Sequence, residues 1–240
     1  MSTLNTVAEL APTTVRATGP RHDIYGLIHK GLRSFMLDTL ARLGRADVAA
    51  PSFSSAIAQT RALLGTLHDH LRHENEFLHP ALEARSPGGA TTTALEHADH
   101  ERAYVELTRL VSSVEHEFAQ GTGSELEWLS KQLYLSLSNF VAENLAHMYR
   151  EETETTKLLW RHYTDEELRE IQGAIVASET AEELAVTLRW MLPSVTPKER
   201  LGLLGGARQG LPPPAFQGVM QLAREVLEPA DYRQLAAAFG

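Results

Sequence analysis

Apolar residues recur at three- and four-residue spacing along almost the whole chain, and runs of alternating β-branched residues are absent. That spacing gives amphipathic helices and leaves no strands to pair, so it predicts an all-α protein. Three stretches interrupt the pattern: "GRADVAAPSFS" (44–54), "SPGGATTT" (86–93) and "QGTGS" (120–124) have the Gly, Pro and Ser content of loops. They leave helices over 21–43, 55–84, 93–118 and 125–162. Four helices with short connections predict an up-down-up-down four-helix bundle over residues 21–163. Residues 1–20 are expected to be a flexible lead-in. After Trp160 the pattern shortens: Thr164, Thr180 and Thr196 each stand three residues before a glutamate, as a capping box needs, and "GLPPP" (210–214) and Pro229 punctuate the remainder. Residues 164–240 therefore read as a C-terminal helical subdomain. That segment contains no histidine, so packing or the docking of a protein partner is its expected role.

The chain of 240 residues, 43% of them apolar, can bury a sizeable core. It contains no cysteine, which excludes disulfides and thiolate ligation, so any metal must be held by His, Asp or Glu. A reducing cytoplasm is the expected location. No basic start precedes an apolar run, and no apolar run reaches membrane-spanning length, so neither secretion nor a membrane partner is expected. A formal charge of −9 without a Lys/Arg cluster argues against nucleic acid.

Within the second helix, "LHDHLRHENEFLHPALE" (67–83) sets four histidines and four acidic residues among core-type leucines. At about 100° per residue, Leu63, Leu67, Glu74 and Phe77 fall within about 60° of His70. His70 and Glu74 thus share the inner face. His68 and His79 fall roughly opposite and read as surface residues, with His73 on the edge. The fourth helix repeats the spacing, with His147 and Glu151 on the stripe of Leu133, Phe140 and Asn144. On the third helix His100 lies at the centre of the apolar stripe and His97 nearer its edge. On the first, His29 shares a face with Tyr25, Met36 and Leu40, and His22 precedes it by about two turns. In an antiparallel bundle one end collects the start of helices one and three and the end of helices two and four. His29, His70, Glu74, His97, His100, His147 and Glu151 should converge there.

Five imidazoles and two carboxylates gathered inside a bundle without a cation would carry a large desolvation penalty. A bound cation removes it. Spacing of i, i+4 lets each His–Glu pair reach ions near the bundle axis. The donor set suits Fe, Zn or Mn, and two glutamates with five histidines fill most of the coordination of two ions, with the carboxylates bridging.

The combination of His29, "HLRHE" (70–74) followed by a proline six residues later, "EHADH" (96–100) and "HMYREE" (147–152) resembles the hemerythrin-like, or HHE cation-binding, proteins over roughly residues 21–162. The resemblance implies a non-haem di-iron centre with an oxo or hydroxo bridge. His29, His70, His97, His100 and His147 would be its imidazole ligands, Glu74 and Glu151 its bridging carboxylates, and O2, NO or peroxide its small ligand. Two departures stand out. The third helix carries its histidines at i, i+3 rather than i, i+4, and Glu151 and Glu152 stand where the oxygen carriers have an aspartate five residues after the last histidine. The latter looks more like the bacterial sensors, nitrosative-stress repair proteins and F-box iron sensor than like the carriers.

Three functions fit this reading. One is a di-iron protein that senses O2, NO or peroxide or serves in oxidative or nitrosative stress. Another is a di-iron oxidase, peroxidase or catalase-like enzyme, for which Tyr25 and Tyr104, each about one turn from an expected ligand, could supply hydrogen bonds or electrons. The last is a structural helical interaction module with a vestigial metal site. Zinc hydrolysis is weaker, because no separate general base stands out.

Overall fold

Asp23 starts the first long helix: its Oδ1 accepts from the backbone N–H of Tyr25 at 3.1 Å and of Gly26 at 2.9 Å, two donors that the helix itself leaves free. The computed structural model describes residues 21–121 and 123–239, so the expected lead-in over 1–20 lies outside the described residues. Helix α1 spans Gly26–Gly44. The second rod is α2, Phe53–His73, continued through a π turn, Glu74–Leu78, into α3, His79–Arg85. A tight turn with Gly88 at φ 81°, the left-handed region that glycine enters without strain, leads to α4, Thr91–Gln120. The fourth rod is α5, Ser124–Arg150, continued through a second π turn, Glu151–Thr155, into α6, Thr156–His162. The described residues are all-α, as the spacing predicts.

The four rods close a ring in which α1 meets α2, α2 meets α4, α4 meets α5 and α5 returns to α1. Their inner faces supply the main core, which includes Leu32, Phe35, Met36, Leu63, Val111, Leu133 and Leu137. Fully burying each such side chain stabilises the fold by roughly 1.5–3 kcal/mol.

The π turns alter the helical wheel. In the first, the His79 N–H bonds the Glu74 carbonyl five residues back, and in the second the Thr156 N–H does the same with Glu151. Each turn inserts one residue and sets the following face back by about 100°. His79, expected at the surface, is therefore turned inward and is buried, and Leu78 occupies the core direction expected of Phe77, which is half-buried. Pro80 gives the first turn a cause. It has no N–H to donate and would crowd the carbonyl four residues back, so the ladder widens just before it. In the second turn the Thr156 hydroxyl donates to the Glu151 carbonyl at 2.9 Å.

Beyond the bundle lie α7 (Asp165–Ser178), α8 (Ala181–Ser194), α9 (Pro197–Gly210), α10 (Pro213–Val226) and α11 (Pro229–Phe239). The capping boxes at Thr164, Thr180 and Thr196 all form, and each fixes a sharp start for its helix. Helix α7 packs over the bundle end through Leu168, which joins Ile24, Leu78, Leu82 and Leu159 in a second apolar cluster. Helix α8 lies along α1. Trp190 stacks on Phe35 with ring centroids 4.2 Å apart, and Gly31 lets the backbones approach so closely that a Cβ there would sit 3.1 Å from the Met191 backbone. Leu188 and Leu192 of α8 begin a third cluster, completed by α9, α10 and α11.

Candidate metal centre

The antiparallel ring brings the start of α1 and α4 and the end of α2 and α5 to one level, and the inward side chains there are imidazoles and carboxylates. His29 is fully buried, Glu151 likewise, and Glu74, His97 and His147 are all buried. Two groups form, each with its ligand atoms within 4.8 Å of one another: His29, His70, Glu74 and Glu151 in one, and Glu74, His97, His147 and Glu151 in the other. Both glutamates belong to both groups. His29 Nε2 lies 3.2 Å from His70 Nε2, and His97 Nε2 lies 3.0 Å from His147 Nε2. Glu74 presents Oε1 to His70 at 3.1 Å and Oε2 to His97 at 3.4 Å, one oxygen toward each imidazole pair. Glu151 does the same, with Oε1 3.3 Å from His147 and Oε2 3.5 Å from His29.

His100 is the expected ligand that the structure leaves outside both groups. It is buried, but its ring lies edge-on to His147 at 5.0 Å and to Phe140 at 5.9 Å. Of the pair on α4, the edge residue His97 reaches the centre. A wheel gives directions around α4, whereas the axis of α4 relative to α2 and α5 decides which imidazole faces the middle.

The remaining nitrogen of three of these imidazoles meets an oxygen. His29 Nδ1 is 3.0 Å from Glu152 Oε1, His147 Nδ1 is 2.8 Å from Glu96 Oε2, and His97 Nδ1 is 2.8 Å from Asn75 Oδ1. Arg33 donates to Glu152 at 2.6 Å and 3.2 Å, and Arg150 donates to Glu96 at 2.9 Å. An N–H donated to such an acceptor fixes the tautomer, leaves Nε2 free to ligate a metal and makes it more basic. None of Glu96, Asn75, Arg33 and Arg150 was expected from the sequence, where no periodicity links them to their histidines.

Burial pulls the pKa of His29 down, but the carboxylates of Glu152, Glu74 and Glu151 outweigh it and lift it to about 9. His147 is lifted to about 9 in the same way, by Glu151, Glu74 and Glu96 against burial. Glu74 is held well below the usual carboxylate range, since His70, His29 and His97 overcome the opposing effect of its burial. By contrast burial, helped by His147 and His97, lowers His100 to about 4. His79, stacked on His97 at 4.6 Å and paired with the Thr93 hydroxyl at 3.1 Å, falls to about 4 for the same reasons. The centre thus demands positive charge between its two glutamates.

The orphaned atoms give a direct test of fit. Glu74 Oε1 and both carboxylate oxygens of Glu151 are buried without a hydrogen-bond partner, and so is the Tyr25 hydroxyl. A buried carboxylate oxygen that accepts no hydrogen bond is expensive to place in a core. Cations between the imidazole pairs and these oxygens satisfy them, so the residues present fit a pair of metal ions.

His22 and Tyr104 are engaged elsewhere, whereas Tyr25 stays beside the centre. His22 bonds Gln172 on α7 at 2.9 Å. Tyr104 stacks on His68, 4.3 Å between centroids, while Tyr25 lies beside His29 at 5.2 Å. His73 is buried next to Arg72, at 3.1 Å.

Residues 23–159 match the family model described as "Hemerythrin HHE cation binding domain". No curated protein and no solved structure matches the chain. Among the described residues, no helix is long and apolar enough to cross a membrane.

Proposed function

Because the chain belongs to the hemerythrin HHE cation-binding family, we propose that it is a non-haem di-iron protein that senses or reacts with O2, NO or peroxide in oxidative or nitrosative stress. The observation that supports this is the sharing of Glu74 and Glu151 by two four-residue groups, which is what a carboxylate-bridged pair of ions requires. His29 and His70 would hold one ion, and His97 and His147 the other. His100, beside His147, is the remaining candidate for the second. An oxo or hydroxo group would complete the bridge. When bound, such a centre supplies redox change and an open position for a small oxidant or NO.

The chain's own residues set the rest. Glu152 and Glu96, each braced by an arginine, orient His29 and His147 and offset the positive charge of the ions. Burial, reinforced by Glu151 and Glu74, raises the Tyr25 pKa well above its ordinary value, so its phenol keeps its proton and can donate a hydrogen bond to a molecule entering beside His29.

Metal analysis of chelator-free protein from iron-rich medium tests the proposal, together with absorption spectra in air, after dithionite and after peroxide. Two irons per chain and an oxo-to-iron charge-transfer band are expected. Iron well below one per chain with no such band would overturn it.

A further inference from the structure

A cavity of about 140 Å³ separates the bundle from α7 and α8 and reaches the centre at His70 and Glu74. Its outer wall is formed by Ile175 and Val176 of α7 and Leu184, Leu188 and Met191 of α8, all beyond the residues that the family model matches. Its inner wall is Ile24, Ile28 and Leu78. Two features mark where it meets the centre. The Tyr25 side chain is 1% exposed and lines the cavity with its hydroxyl unpartnered. His70, whose side chain is 16% exposed, is the group-forming imidazole that borders the opening. The outer edge carries Asp69, Glu179 and Glu183, with the Arg72 guanidinium 3.7 Å from both Asp69 and Glu183, so it keeps a small net negative charge.

A diatomic gas or peroxide fills the room of one or two waters, whereas 140 Å³ holds roughly ten water-sized positions. The walls are mainly apolar, with Thr66, Gln172 and Thr187 also lining them; the unpartnered phenol waits at the inner end, and the net negative rim disfavours anions. We propose that this cavity is a binding site for a neutral organic molecule with an apolar body of about six to ten heavy atoms and one hydrogen-bond acceptor, which takes the Tyr25 hydroxyl beside the metal centre. The C-terminal helices then serve as the wall that selects this molecule by size and charge. The inference deepens the di-iron reading by giving that centre an organic ligand, while the binding step itself needs no metal.

Ligand-observed NMR titration of the full chain, metal-free and iron-loaded, with acetone, 2-hexanone and hexanoate tests it. Three added methylenes buried in the cavity should make 2-hexanone bind at least tenfold tighter than acetone, and the rim should make it at least tenfold tighter than hexanoate. Y25F should weaken 2-hexanone about threefold to tenfold, the worth of one neutral hydrogen bond. Two filling variants, I175W and V176W, should each weaken it tenfold or more. Val176 is 44% exposed, so V176W is compatible with an intact fold. Binding of 2-hexanone no tighter than acetone, equal binding of hexanoate, or binding unchanged in V176W would overturn the proposal. Selective 2-hexanone binding by a chain that takes up no iron would remove the di-iron reading and leave this site standing. Iron loading without that selectivity would do the reverse.

Discussion

Replacing Glu152 should weaken one metal position and spare the other. Its Oε1 lies 3.0 Å from His29 Nδ1 and takes a bond from Arg33 at 2.6 Å, so E152Q removes the charge that orients and polarises one imidazole while keeping the side chain's shape. Loss of such a support typically reduces metal affinity 10- to 100-fold, or about 1.4–2.7 kcal/mol at 1.36 kcal/mol per decade. His29 belongs only to the group with His70, whereas Glu74 belongs to both groups. Anaerobic ferrous titration against a competing chelator should therefore show one weakened and one unchanged site in E152Q, and no tight site in E74A or E151A. E76A is the control, because Glu76 is exposed and its one side-chain bond is to Arg72 at 3.5 Å. Equal weakening of both sites in E152Q, or one tight iron retained in E74A, would refute the assignment of shared and unshared residues.

Two further outcomes follow from packing and charge. In G31A the new Cβ would meet Met191 Cγ at 2.8 Å, an overpacking cost of about 1–3 kcal/mol that exceeds the helix gain of about 0.5–1 kcal/mol, so melting should fall by a few degrees. G202A, with nothing within 4 Å, should instead melt slightly higher, and a rise in both would contradict the close approach of α8 to α1. Burial, with Glu183 and Asp69 nearby, raises the half-buried Glu179 to about 7 from an ordinary 4.5. A raised carboxyl contributes stability fully below pH 4.5 and loses it as pH rises through 7, so E179Q should match the native protein at pH 4 and melt higher at pH 8. After discounting for solvent screening the difference is about 1 kcal/mol, and thermal melts at the two pH values that differ equally would rule out this origin.

The helices, their breaks and the inward face of each bundle helix up to its candidate donors were legible in the residue spacing alone. His29, His70 and Glu74, and His147 and Glu151 were legible because i, i+4 spacing and apolar periodicity are local properties of one helix. The three capping boxes were legible for the same reason, since each is closed within four residues. Beyond the π turns that logic fails: one inserted residue buries His79 and moves Phe77 off the core direction, and only Pro80 signals the first turn while nothing signals the second. That His97 joins one of the two groups while His100 stays outside them depended on where the axis of α4 lies against α2 and α5. Glu96, Asn75 and Arg33 reach their partners across 51, 22 and 119 residues of chain, distances over which no spacing rule operates. The cavity against α7 and α8 likewise exists only after α8 has docked on α1, because its walls come from segments that share no periodicity. Local spacing selected the donors; the packing of separate helices decided which of them meet, what braces them and what can reach them.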